Sequence, residues 1–489
     1  MSQNLSGKES IKAGFWYVFS NLLLKGISFI TTPLFTRLLT KTDIGYYSNF
    51  SSWFNILLIV VTLDLSASIY LAVFDKKDSI DEYVSSILVL SSASTLLFYF
   101  VVLAFKAFFL SVFKVEDYTL HIMFLSLAVF PAITMYSTKC RVTGSFKTVV
   151  FLSLLSCALS TFFSLILVFH YRLGVAGRIY GTYVPQILLN FLVYLLILLK
   201  GKRVNPRVWK YALTLSLPLI FHDLAHIVLA SSDRIMITQM LGTVDTASYS
   251  IAYACGSIVS LLFSSLNGAW SPWAYSCMDG NDSCILRRVV KPYTVFFIVI
   301  VFVGMFFAPE LLWIMGGSAY MTALPLIPVV MVSYIYVFIY SFYVNIEFFY
   351  KKQKTIAIGT ICAALLNLVL NYLFLPMYGY PAAAYTTLAG YVFLFLYNYL
   401  FVKHMKRDYY YQASFFIIIL IVVSLAIPCM QLLYNLPTVR IMIAAISMGV
   451  LIMITILRRK DIILAVETRS ITGIIEAYSL TSLKFKRKR

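Results

Sequence analysis

Lys25, Arg37, Asp64 and Arg234 are ionisable residues set within long apolar stretches of the sequence. A charge facing lipid at the middle of a helix costs roughly 2.5–3.5 kcal/mol on insertion scales, so such groups turn toward a wet cavity or a partner and mark candidate sites. Asn21, Lys25, Ser28, Thr32 and Thr36 recur at intervals of four, three, four and four, which lines them along one helical face. Together with Asn21 and His226, the four ionisable residues are the candidates to contact a substrate in such a cavity. A second chemistry is offered by Asp223, Asn367, Asn371 and Thr387, whose oxygens suit a small hard cation such as Na⁺. The two asparagines are one helical turn apart, as are His222 and His226, a spacing that relays protons or binds metal. With no third ligand near in sequence, no metal centre and no resident cofactor are expected, only Na⁺ or H⁺ as a coupling ion.

Plainer readings stand beside these. Lys25 with Asp64, and Asp233 with Arg234, would serve as buried pairs that only set packing, and the asparagines as hydrogen bonds between helices. Glu347, flanked by Asn345, is a further acidic candidate under the same reading.

The elements that position these residues follow from composition. With 61% hydrophobic and 12% charged residues and a mean hydropathy of +0.87, the chain departs from soluble globules, whose charged share is about a quarter. The expected fold is an all-α polytopic membrane protein with about 14 spans, from 11–39 to 438–457 and including 46–74 and 84–112, each long enough to cross the hydrocarbon core. Thirty of the 39 Lys and Arg residues fall in eight groups that occupy every second gap between spans, the last group being the tail from Arg458. Short basic loops stay on the cytoplasmic side, so both termini are expected inside. The net charge of +19 is therefore directed at anionic lipids rather than nucleic acid. Seven Cys occur without a CxxC pair, which gives metal and redox functions no support.

An internal repeat divides the chain. FTRLLTKTDIGYYS at 35–48 matches ITQMLGTVDTASYS at 237–250 without a gap, pairing Thr36 with Thr238, Asp43 with Asp245, Tyr47 with Tyr249 and Ser48 with Ser250. SFKTVVF at 145–151 echoes KQKTIAI at 352–358, and LGVAGRIYGTY at 173–183 echoes YGYPAAAYTTL at 378–388. The expected organisation is two parallel six-helix lobes related by a pseudo-two-fold axis, 1–200 and 201–405, followed by two further helices over 406–458 and a basic tail, 459–489. Parallel repeats of this kind build transporters with a substrate path near the midplane.

The opening stretch WYVFSNLLLKGISFITTPLFTRLLTKTDIGYYS, the segment SSDRIMITQMLGTVDTASYSIAY and the small-residue patches LGVAGRIYGTY and YGYPAAAYTTL resemble the polysaccharide transporter branch of the multidrug/oligosaccharidyl-lipid/polysaccharide exporter superfamily. The O-antigen and capsule repeat-unit flippases are the most similar. The resemblance implies a bacterial inner-membrane flippase, not an enzyme, that moves undecaprenyl-diphosphate-linked oligosaccharide to the outer leaflet by alternating access. Lys25, Arg37 and Arg234 would then meet the diphosphate, and Asp223, Asn367, Asn371 and Thr387 would hold a coupling cation. Polysaccharide polymerase and chain-length machinery would be its partners. The alternatives are a cation-coupled drug exporter, against which Lys25 argues, and a membrane glycosyltransferase or polymerase, which would be expected to expose catalytic groups on a sizeable outer loop.

Overall fold

Backbone polar groups in hydrocarbon must be satisfied within the chain, so apolar runs of this length become helices. The computed structural model describes residues 23–457 apart from 25, 28, 76–78 and 281, and for 74, 218, 448 and 450–457 the backbone alone. Lys25 and Asn21, and the tail at 459–489, lie outside the described residues. Among the described residues there are helices and no strands. Among the described residues ten helices are long and apolar enough to cross a membrane, or up to twelve if each of two bent pairs is one span. The chain is an all-α polytopic membrane protein. Of the fourteen expected spans, the first is described only from residue 23 on, apart from 25 and 28, and the last corresponds to the helix Pro437–Leu457.

Three spans are less regular than their hydropathy. The Lys41–Thr62 helix opens on a reciprocal cap, in which Thr40 Oγ1 accepts from the Asp43 amide and the Asp43 carboxylate accepts from the Thr40 amide, each at 3.1 Å. It ends at Leu63 and Asp64, both in the left-handed region with φ of 60° and 38°. That conformation costs about 1–2 kcal/mol per residue. It breaks the expected 46–74 span into this helix, a tight turn over Leu65–Ser68 and a short helix over Ile69–Asp75. The expected 84–112 span likewise ends early, at Ala104, and Lys106 opens a separate helix, Lys106–Phe113. Lys106 pairs with Asp117 at 2.6 Å, which explains a cation that hydropathy placed within a span. The Arg207–Met240 helix bends by 47° where Pro218 interrupts it, because proline supplies no backbone donor.

Compactness divides the chain differently from the repeat. One unit comprises the described parts of Met1–Ala254, Leu312–Leu326 and Ala357–Gly390; the other comprises those of Cys255–Leu311, Ile327–Ile356 and Tyr391–Arg489. The first unit holds two apolar clusters, one around Phe50, Phe54, Leu120, Phe124 and Tyr183, the other around Leu65, Ile69, Tyr83, Ile87 and Met135.

The repeat is visible within that first unit as paired contacts. Ser48 Oγ lies 2.6 Å from Ser250 Oγ, its own counterpart at an offset of 202 residues. Arg37 Nη1 donates to the Ile314 carbonyl at 3.1 Å, and Gln239 Nε2 donates to the Val112 carbonyl. Exchanging the repeats turns the first of these contacts into the second. In a two-fold arrangement contacts come in such exchanged pairs, and a residue on the axis meets its own equivalent.

Gly45 sits beside this junction. A Cβ added there would fall 1.8 Å from the Thr243 carbonyl oxygen, so the Lys41–Thr62 helix meets the start of the Thr243–Gly256 helix at backbone distance. Gly45→Ala is expected to cost about 1–3 kcal/mol, the range for overpacking. A thermal melt of the purified protein, with the conservative Ser48→Ala as control, checks this; an unshifted Gly45→Ala melt would show that the approach is not needed.

Candidate functional site

The most enclosed polar group in the first unit is built on Asp233, 1% exposed, from the Arg207–Met240 helix. Asn371 Nδ2 donates to Asp233 Oδ1 at 2.7 Å. Thr387 Oγ1 donates to Oδ2 at 2.7 Å, and the Tyr249 hydroxyl to the same oxygen at 2.5 Å. A second layer braces these donors. Asn371 Nδ2 also donates to Asn367 Oδ1 at 3.2 Å, Asn367 Nδ2 to Thr387 Oγ1 at 3.2 Å, and Thr386 Oγ1 to Asn371 Oδ1. Ser232 Oγ reaches Asn367 Oδ1 at 3.4 Å. Four helices converge here, and Asn367 and Asn371 are fully buried.

Close packing makes the convergence achievable. Gly390 faces Leu229 and Asn367, and a Cβ there would lie 3.3 Å from the Leu229 methyl and 3.9 Å from Asn367 Cβ. The Pro381–His404 helix can therefore bring Thr386 and Thr387 against the asparagines.

The chemistry of the group is that of a carboxylate held by neutral donors alone. Among the described residues no ion pair joins Asp233 to a cation. Arg234, next in sequence, is carried off the site: its Nη1 donates to the Ala230 carbonyl at 3.0 Å, and its guanidinium lies over the Tyr253 ring at 4.6 Å. The expected Asp233–Arg234 pair is thus replaced by a cation–π contact. The oxygens of Asp233, Asn367, Asn371, Thr386 and Thr387 form a hard, single-charge donor set of the kind that fits a monovalent cation. Among the described residues no group of three or more His, Cys, Asp or Glu has the arrangement of a metal site.

The grouping expected from sequence is corrected at one member. Asn367, Asn371 and Thr387 come together, but the carboxylate among them is Asp233 rather than Asp223. Ten residues of helix separate the two by about 15 Å along the axis, so both cannot reach one site. Asp223 instead meets Asp64, whose carboxyl stands within hydrogen-bonding reach of it and accepts from Ser66 at 3.2 Å. The left-handed break at Leu63 and Asp64 aims that carboxyl at the Arg207–Met240 helix. His226, exposed, and His222 lie beside Asp223 on the same helix.

Arg37 is exposed and donates to the carbonyls of Pro33 at 2.9 Å and Ile314 at 3.1 Å, so it is tied to backbone at a helix end. Sequence reasoning missed Tyr249, which was legible as the repeat partner of Tyr47. In the second unit Trp270 is 4% exposed and its ring stacks on Tyr293 with centroids 4.8 Å apart. Asn345 there accepts from Ser271 at 3.0 Å and from Tyr275 at 3.2 Å.

The described helices make a multi-pass membrane protein fold. It is similar to the lipid II flippase MurJ in an inward closed conformation, with a TM-score of 0.70 and 15% identity over 91% of this chain and 99% of that one. The Vibrio cholerae MATE transporter VcmN follows at 0.55 and 14% identity, covering 83% of this chain and 98% of its own. An inward-facing multidrug MATE transporter of the MOP superfamily gives 0.56 and 14%, covering 78% and 95%. An uncharacterised membrane protein of Methanocaldococcus jannaschii is 20% identical over 460 residues, 86% of this chain and 90% of the relative. The chain belongs to the polysaccharide biosynthesis protein family, whose sequence model matches residues 10–278.

Proposed function

We propose that this protein is a flippase that carries a polyprenyl-diphosphate-linked oligosaccharide, in bacteria an undecaprenyl-linked repeat unit for O-antigen, capsule or exopolysaccharide, to the outer face of the inner membrane. The observation that carries the reading is the buried Asp233 carboxylate in a chain of the polysaccharide biosynthesis family. A carboxylate enclosed in a membrane protein and braced only by neutral donors suits reversible occupation by a cation, which is what coupling to an ion gradient requires. Family membership supports the cargo class, and likeness of fold to a lipid II flippase supports a lipid-linked one.

The physical task explains the design. A diphosphate headgroup drawn through hydrocarbon alone would meet a prohibitive desolvation cost, so the headgroup needs a wet basic path while the polyprenyl chain stays in lipid. Lys25, Arg234 and Arg37 are the candidate headgroup contacts, and Asn21, Asp64 and His226 are the further candidates to contact the cargo. Na⁺ or H⁺ at Asp233, Asn367, Asn371 and Thr387 would supply the drive. The charge pattern supports cytoplasmic termini and contact of the basic tail with anionic lipids. Exported units would pass to a polymerase and chain-length machinery.

Deleting the gene tests the reading. Lipid-linked oligosaccharide is expected to accumulate on the cytoplasmic face while surface polysaccharide is lost. Drug hypersensitivity with normal surface polysaccharide would establish the drug-exporter alternative instead.

A further inference from the structure

Glu347 is the most isolated acid in the second unit. It lies near the end of the Leu326–Phe349 helix, the most enclosed spanning helix, 83% of whose apolar window is buried against 22–56% in the other unbroken spans. Its side chain is 0% exposed, and neither carboxyl oxygen has a hydrogen-bond partner. One turn earlier on the same face, the buried Tyr343 hydroxyl is also without a partner. Around Tyr343 stand the rings of Phe395, Tyr399, Tyr411 and Phe416, with centroids 5.7–6.0 Å away.

Charged groups are near this region but engaged elsewhere. Arg407 lies over the Tyr350 ring at 4.5 Å and donates to the Tyr409 hydroxyl at 3.0 Å. Arg287, from the Ser283–Phe306 helix, donates to the Tyr409 carbonyl. Asp408 opens the short turn Asp408–Tyr410 that carries Tyr409, and Lys351 and Lys352 follow the helix end as exposed residues. Among the described residues none of these pairs with Glu347.

An ionised carboxylate so placed would be a buried, unpaired charge, which costs several kcal/mol even after relaxation. A metal cation would need several oxygen ligands, and among the described residues no group of three or more His, Cys, Asp or Glu forms around this acid. A proton needs no more than the carboxyl. We propose that Glu347 is a proton-binding site, distinct from the Asp233 group, whose carboxylate takes up one proton to become the neutral acid while the helix is enclosed and returns that proton to water when the helix is opened. The site stands whatever the cargo; only its use in energising export rests on the function proposed above.

Dicyclohexylcarbodiimide, which is membrane-permeant and attacks protonated buried carboxyls, provides the test. The full-length protein in lipid vesicles is treated across a series of buffers and the Glu347 peptide is followed by mass spectrometry. Modification of Glu347 is expected in acid buffer, falling about tenfold per pH unit beyond its midpoint, with no adduct at that position in Glu347→Gln. Absence of the adduct at every pH while other carboxyls react would overturn the proposal, as would labelling indifferent to pH, the behaviour of a sealed structural acid. Should Glu347→Gln fail to fold, the wild-type pH series decides alone. No substrate or gradient enters the measurement, so a wrong cargo assignment would leave its result standing.

Discussion

Asp233→Asn is expected to leave the protein inserted and folded yet to remove the dependence of export on an ion gradient. The asparagine keeps the shape of the carboxylate, and its Oδ1 can still accept from Tyr249 and Thr387, at the loss of the bond from Asn371, whose amide donor then faces Nδ2. What disappears is the one negative charge in a donor set otherwise made of amides and hydroxyls. Hydrogen bonds to a charged group contribute about 1.5–3 kcal/mol each, and a loss of roughly 1.4 kcal/mol is already a factor of ten in affinity. Gradient-driven export in vesicles should therefore fall by about tenfold or more, with the Na⁺ or H⁺ response flattened. Asp223→Asn serves as the comparison, since that residue lies with Asp64 and not in this cluster. Full gradient dependence in Asp233→Asn would rule Asp233 out as the coupling residue.

The second large effect is expected at the repeat junction. Ser48 and Ser250 touch through their hydroxyls at 2.6 Å, so cysteines at both positions are near the Cβ separation of about 3.8 Å that a disulfide requires. In a background with the exposed native Cys284, Cys362 and Cys429 replaced by Ser, oxidation of Ser48→Cys/Ser250→Cys should form the cross-link and bring export to background. A reductant should restore it. Both segments follow spans that the charge pattern is expected to run from inside to outside, and the proposed flippase, working by alternating access, would need the outer ends of the two repeats to separate. Undiminished export by the cross-linked protein would show that this junction stays closed throughout the cycle.

Much of this was legible in the residues. Alternate basic loops, apolar run lengths and the echo between 35–48 and 237–250 carried the membrane class, the span order and the pairing of equivalent positions that Ser48 and Ser250 display. Asn367 and Asn371 one turn apart, and Thr387, announced half of the buried cluster. Hydropathy failed where backbone detail decides. It placed Lys106 inside a span, although a break at Phe105 frees it to pair with Asp117, and it did not register the left-handed residues Leu63 and Asp64 that split another span.

Periodicity orders residues around and along one helix, and that is what the sequence by itself determined: a helical membrane protein built from a repeat, with acids and amides at known heights on known faces. It is silent on which height of one helix meets which height of the next. Only the tertiary structure set Asp233 rather than Asp223 against the asparagines, laid Arg234 over Tyr253 and turned Arg37 onto the carbonyls of Pro33 and Ile314. Those outcomes depend on helix bends such as that at Pro218 and on the close approaches that Gly45 and Gly390 permit, which are properties of helices packed together rather than of any one of them.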